Sequence, residues 1–227
     1  MKAGTMLVLT GCLLLTSALS LAAEGGEVPP APAATAEVSP AEEANVLCVG
    51  AKAGVNLPQL GSSLGTTFAV SLEAMYLLPF WGSRFGLITA LGFSQPGASG
   101  SGADPRLPDG AYTWETTQRQ IPWDLGLVLR VWPADSDYNL GFAVGSRLMF
   151  LSTLTSGEAG GEPFGEHDEQ ATIPGLFAGV QGEYVLGPGA LFAEVVYAAS
   201  FQDLKTTGDL TLSSIGILVG YRFIISL

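Results

Sequence analysis

Charge is what this sequence has least of. Only 13% of its 227 residues are charged, against a hydrophobic share of 48%. Soluble domains usually carry about 25% charged residues, so a chain that faces water on all sides is a poor fit. Long apolar runs are missing too. Past residue 23, no uncharged apolar run reaches the roughly 18 residues that a membrane-crossing helix needs, which excludes a helical membrane protein. Bases are scarcer than acids, nine against 21, and the net charge of −12 argues against nucleic acid as a partner. Cysteine is nearly absent. Cys12 lies in an N-terminal apolar segment and Cys48 stands alone beyond it, so the mature chain has no intrachain disulfide available. There is no glycine-rich phosphate loop and no clustered metal-ligand motif, so neither cofactor nor metal is expected.

What the sequence has instead is glycine, 30 residues of it, and apolar residues in short bursts of period two. Low charge without a helical span leaves an all-β class: an eight-stranded, antiparallel, up-and-down transmembrane β-barrel. Two segments precede it. Residues 1–23 read as a secretory signal peptide, with Lys2 as the positive start, an uncharged run from Met6 to Ala23, and the small residues Ser20 and Ala22 before the cleavage point. A rival reading takes Leu9-Thr10-Gly11-Cys12 as a lipidation site at Cys12, but the apolar run continues for eleven residues past that cysteine. Residues 24–45 are rich in Pro, Ala and Glu, with five acids and no base. Such a segment buries too little apolar surface to fold and is expected to be a disordered periplasmic tail.

From Val46 on, alternation predicts strands over about 46–56, 66–79, 81–95, 113–132, 138–153, 171–186, 189–202 and 210–225. The connections alternate in length. Leu57–Gly65, Pro96–Tyr112, Leu154–Gln170 and Asp203–Asp209 are long, whereas Phe80, Pro133–Asp137 and Gly187-Pro188 are short. Outer-membrane barrels have tight periplasmic turns, longer external loops and an even strand number. The pattern therefore places both termini in the periplasm, Gly102 and Gly160 outside, and Asp135 on the periplasmic side.

The faces sort as well. In the last strand Ile215, Ile217, Val219, Tyr221, Phe223 and Ile225 oppose Ser214, Gly216, Gly220 and Arg222; in the fourth, Trp123, Leu125, Leu127, Leu129 and Val131 oppose Asp124 and Arg130. Alternate residues of a strand point to opposite faces. The unbroken apolar set reads as lipid-facing, and the sparse, glycine-interleaved charged set as a narrow lumen. Gly126, on the inward side, is expected to accept a serine at little cost. Phe68 and Tyr76, Phe85 and Phe93, and Phe142 and Phe150 each stand eight residues apart on the apolar face. At about 3.3 Å per residue and a tilt of about 40°, that spans roughly 20 Å, close to the spacing of two aromatic girdles.

The final strand also carries Gly220-Tyr221-Arg222-Phe223-Ile224-Ile225 and ends at Leu227 rather than at Phe or Trp. Together with the strand and loop pattern, this makes residues 46–227 resemble the eight-stranded outer-membrane β-barrels of the OmpA/OmpX type. The resemblance implies a porin-like place in a Gram-negative envelope. It implies contact with outer-membrane lipid, and insertion by a barrel-assembly machinery that reads Gly220, Tyr221, Phe223 and Ile225. It does not fix a role, because that architecture hosts unrelated activities.

The inward positions collect Lys52, Glu73, Arg84, Asp124, Arg130, Arg147, Glu183, Glu194 and Arg222. Lys52 with Glu73, Asp124 with Arg147, and Glu194 with Arg222 are expected as neighbours. Charge inside a membrane is either paired or functional. Eight strands leave a lumen just wide enough for side chains, which favours an ion-pair network that fills the barrel over a selectivity filter or proton path. The third long loop holds Glu158, Glu162, Glu166, His167, Asp168 and Glu169, read as a solvated acidic loop. Ser152 or Ser156 with His167 is the one conceivable nucleophile pair, and no spacing motif supports it, so no enzymatic activity is expected. The reading is a structural or surface-interaction role through long acidic external loops. Two alternatives are a narrow pore or OmpW-like conduit for small hydrophobic molecules, and a barrel subunit of a larger envelope complex, with an envelope-protein partner docked by the tail.

Overall fold

A computed structural model describes residues 45–58, 64–103, 110–133, 136–160, 162–201, 203–204, 210–211 and 213–227. The expected signal peptide, the Cys12 site and the expected tail up to residue 44 lie outside the described residues. The strands are β1 (Val46–Pro58), β2 (Thr67–Leu77), β3 (Phe85–Ser94), β4 (Gly97–Ala103), β5 (Ala111–Arg130), β6 (Tyr138–Ala159), β7 (Glu162–Leu186), β8 (Gly189–Ser200), β9 (Asp203–Leu204), β10 (Leu210–Thr211) and β11 (Ser214–Ser226). β4 continues the line of β3 past Gln95-Pro96, and β9 pairs only with β10. The others form one antiparallel sheet in the order β3-β2-β1-β11-β8-β7-β6-β5, and a β3–β5 pairing closes it into a barrel of eight staves. Closure leaves no sheet edge within the ring, which is what a hydrocarbon environment demands of backbone N–H and C=O groups.

Burial is inverted relative to a soluble barrel. Leu72 is 67% exposed on the outside, while Arg222 is 0% exposed on the inside. Phe68, Leu91, Leu125, Val144, Leu191 and Val219 share the exterior with Leu72, and Lys52, Glu73, Arg130, Glu183 and Glu194 share the interior with Arg222. An apolar wall around a charged core is stable only where the outer solvent is lipid. The chain is therefore a transmembrane β-barrel of the outer-membrane type.

Several strand boundaries differ from expectation. The turn between β2 and β3 is not a bare Phe80; it runs over residues 78–84, and Trp81, Gly82 and Ser83 take φ of 57°, 65° and 54°. Three successive left-handed residues reverse the chain where alternation suggested a strand start. The last barrel strand begins at Ser214 rather than 210. At the opposite end of the barrel, two of the four expected long loops hold long stretches of strand: β4 takes the first half of Pro96–Tyr112, and β6 and β7 run on to meet at Gly160, whose φ is 61°.

The result is a projecting sheet, β4-β5-β6-β7, beyond the closed ring. β8 meets β7 only from Gly175 onward, and β4 pairs with β5 alone. Gly97–Ala103 contains no strong strand former, which hid it from the periodicity. Its partner supplies the cover: a Cβ on Gly100 would come within 2.8 Å of the Trp114 ring, and one on Gly102 within 2.5 Å of the Tyr112 ring. Aromatic rings laid over edge glycines shield a strand that has no side chains of its own to pack.

Candidate functional site

Six interior charges form one continuous chain across the lumen. Arg130 Nη2 lies 3.0 Å from Glu183 Oε2, and Glu183 Oε1 lies 3.1 Å from Arg222 Nη1. Arg222 Nη2 is 3.0 Å from Glu73 Oε1, and Glu73 Oε2 is 3.0 Å from Lys52 Nζ. Lys52 then donates to Glu194 Oε2. The members come from β5, β7, β11, β2, β1 and β8, so the network ties most of the ring together. Its three bases and three acids cancel.

Arg222 is the hub. Beyond its two carboxylates it donates to Gln181 Oε1 at 2.9 Å and to the Met75 sulfur at 3.6 Å. Its guanidinium also lies 3.9 Å from the centroid of the Phe192 ring, a cation–π contact strengthened by desolvation. Gln181 in turn donates to Glu183 Oε1 at 3.0 Å. Room for these long side chains comes from the wall. A Cβ on Gly220 would sit 2.7 Å from the Phe192 ring and 2.8 Å from Lys52 Cβ, so only glycine lets both lie flat against β11.

A separate pair lies further along the lumen. Arg147 donates through Nε and Nη2 to the two Asp124 oxygens at 2.6 and 2.7 Å. These residues stand directly opposite in the β5–β6 register. A cavity of about 60 Å³ lies among Lys52, Ser94, Gln120, Asp124, Arg147 and Glu194, large enough for only a few waters. Toward the projecting sheet the lining becomes hydroxyl and amide: Ser94 donates to Gln120, Gln120 to Gln118, and Gln118 to Thr153, at 3.2, 2.6 and 3.1 Å. Leu64, Met149, Leu151 and Ile173 then form a buried apolar cluster.

Of the expected interior residues, Arg84 is the exception. It is exposed on the β2–β3 turn, just before β3 and outside the buried network. The Glu194–Arg222 neighbourhood is also corrected. Register sets Glu194 opposite Leu218 and Arg222 opposite Ala190, so the two acquire different partners. Gly126 is not permissive either: a Cβ there would lie 2.4 Å from Val144 O and 2.8 Å from the buried Phe177 ring. Sequence reasoning missed Gln118, Gln120 and Gln181, although all three fall at inward parity. It missed Leu64 with better cause, since that residue lies outside any strand.

On the acidic arms, Ser152 Oγ is 3.4 Å from Asp168 Oδ1. The β6–β7 register puts Ser152 opposite Gln170 and His167 opposite Thr155, so the backbone does not bring Ser152 to His167. The side chains of Glu166 and His167 lie outside the described residues. On β11, Gly220 faces the lumen, while Phe223 and Ile225 are exposed and Tyr221 donates to Leu186 O at 2.8 Å.

No protein-family model and no curated protein sequence matches the chain. Among solved structures it is similar to Ail, the attachment invasion locus protein of Yersinia pestis, with 14% identity, a TM-score of 0.42, and coverage of 80% of this chain and 99% of that one. It is similar to Neisserial surface protein A, with 16% identity, a TM-score of 0.39, and coverage of 79% and 96%. It is also similar to a major outer membrane protein from Thermus thermophilus, with 14% identity, a TM-score of 0.49, and coverage of 80% and 100%.

Proposed function

We propose that this chain is a non-enzymatic outer-membrane barrel whose interior is closed and whose projecting arms act at the cell surface. The observation that carries the reading is the contrast between the two ends of the molecule. The lumen is crossed by a charge-balanced network of six buried side chains. The β4-β5-β6-β7 sheet ends in two strand edges, β4 and the first half of β7, that lack a barrel partner among the described residues. Such edges can pair with an extended segment of another chain. The described arm residues Glu115, Glu158, Glu162, Asp168 and Glu169 outnumber the single base Arg119. Ail has been solved with the heparin analogue sucrose octasulfate; the arm charge here disfavours a polyanion and suits a neutral or basic partner. In the same reading, both termini are periplasmic, and Gly220, Tyr221, Phe223 and Ile225 form the strand that the assembly machinery reads. The test joins planar-bilayer conductance of the full chain to surface labelling of tags at Gly102 and Gly160. No steady current and accessible tags are expected. A steady ohmic current, or arms inaccessible from outside, overturns the reading.

One feature favours a lateral conduit as a second reading. The β3–β5 ladder pairs Leu91 with Trp123 and Ser94 with Gln120 but skips the residues between. Pro122 stands at that gap without an N–H to give. An outer groove of about 580 Å³ runs past Leu72, Leu91, Phe93 and Ile121 on the lipid side. Pro122→Thr restores a donor at the gap. If the seam is a route, it should slow transfer of a hydrophobic dye into vesicles that contain the protein; unchanged transfer removes this reading.

A further inference from the structure

Arg84 is a base without an ion-pair partner among the described residues, in a protein whose interior bases are all paired. The geometry points to a binding site for the headgroup phosphate of an anionic glycerophospholipid, built by Arg84 and Trp81 at the turn end of the barrel.

The turn itself is the first observation. Trp81 and Ser83 both adopt left-handed backbone around Gly82, a conformation that residues with a Cβ avoid unless the surroundings enforce it. Ser83 N–H donates to Phe80 O at 3.1 Å, and a Cβ on Gly82 would lie 3.3 Å from the Pro133 ring, so the next turn braces this one. Arg84 stands at the rim, just before β3, where its carbonyl accepts from Arg130 N–H at 2.7 Å and its side chain is exposed.

The second observation is what surrounds it. Trp81, Arg84, Leu129, Arg130, Val131 and Pro133 line a pocket of about 640 Å³. Leu129 and Val131 belong to the lipid-facing row of the wall, and both are exposed. Trp81 is 74% exposed, and Phe80 and Trp132 on the same end are 46% and 47% exposed. Amphipathic rings at one level mark the headgroup zone of a membrane.

The third observation is the charge at the pocket. Arg130 is 3% exposed and its Nη2 is spent on Glu183, which leaves Arg84 as the exposed guanidinium there. Among the described residues no carboxylate lines the pocket. A guanidinium fork matches a phosphate by shape and charge. An exposed, unpaired guanidinium favours an anionic headgroup over one that brings its own ammonium. The apolar wall of Leu129 and Val131 offers a seat for an acyl chain, which inorganic phosphate cannot use. A lipid fits both halves of the pocket, and a free anion fits only one.

The test uses the full chain purified in a phosphate-free detergent, with bound lipid counted by native mass spectrometry during titration with phosphatidylglycerol, phosphatidylethanolamine or inorganic phosphate. Heat-modifiable gel migration reports the folded barrel throughout. The wild type should retain phosphatidylglycerol at least fivefold more tightly than phosphatidylethanolamine. Arg84→Gln should weaken that binding at least fivefold, Arg84→Lys should keep part of it, and Arg119→Gln on the arms should leave it unchanged. Equal retention by the wild type and Arg84→Gln overturns the site. Equal binding of the two lipids overturns its charge selection, and displacement by inorganic phosphate at matched concentration overturns its assignment to a lipid.

Discussion

Arg222 and Glu73 meet across an intervening strand. Their ion pair spans 3.0 Å although Gly50 of β1 stands between them, paired with Arg222 on one side and Glu73 on the other. A Cβ at Gly50 would lie 2.6 Å from Tyr221 O and 2.7 Å from Arg222 Cβ. The absence of a side chain at one position is thus what joins β2 to β11 electrostatically.

That relationship is testable with a single methyl group. Gly50→Ala should destabilise the barrel by about 1–3 kcal/mol, the usual cost of overpacking. Gly182→Ala is the control, since a Cβ there meets nothing within 4 Å. Urea unfolding in lipid vesicles should separate the two variants. If they unfold alike, Gly50 is not the gap through which the pair forms.

Much of this is legible in the sequence. Period two in 113–132 and 210–225 assigns Asp124, Arg130 and Arg222 to the inward face, and of the nine residues read as interior Arg84 alone lies exposed on a turn. The parity rule holds only while the backbone stays extended, and no residue type at 81–83 announces three left-handed angles. Partners are harder to read than faces. Sequence separates residues by strand, but Arg222 reaches over Gly50 to the second strand along, a choice set by register and by where glycine leaves room. The arms are the largest omission. Gly97–Ala103 reads as loop because its cover, Tyr112 and Trp114, sits on the partner strand.

The lipid face gives a second prediction. Leu127 is 43% exposed on the outer wall, and Leu127→Arg should cost about 2–4 kcal/mol if it lies near the bilayer midplane. Gly126→Ser, mild if alternation alone decided, should cost about 1–3 kcal/mol through overpacking against the Phe177 ring and the Val144 carbonyl. Adding Phe177→Leu should relieve the second variant and not the first. Relief of both, or of neither, would show that 126 and 127 do not occupy opposite faces.

Topology supplies the third. Epitopes inserted at Gly102 and Gly160, both at the far end of the arms, should bind antibody on intact cells. One inserted at position 135, in the β5–β6 connection, should bind only after the envelope is opened. Labelling at 135 without labelling at 102 would invert the barrel in the membrane.

The fourth concerns the pair that decides between a filled lumen and a conducting one. Asp124 and Arg147 face each other in register and share two hydrogen bonds of 2.6 and 2.7 Å, apart from the six-member network. Losing one member of a buried pair leaves the other charged and unmatched, at a typical cost of about 3–5 kcal/mol, whereas replacing both with apolar residues is often near neutral. Asp124 and Arg147 side chains are 15% and 10% exposed, next to a small cavity, so water offsets part of that penalty and the lower end of the range applies. Asp124→Leu and Arg147→Leu should each lower stability, and the double variant should recover most of the loss. Conductance should stay at baseline in all three, because Arg222, Phe192 and the network around them still cross the lumen. A steady current in either single variant would make Asp124 and Arg147 the gate of a pore. Single variants as stable as the wild type would mean that the pair contributes nothing to holding β5 against β6, and the barrel would then rest on the Arg222 network alone.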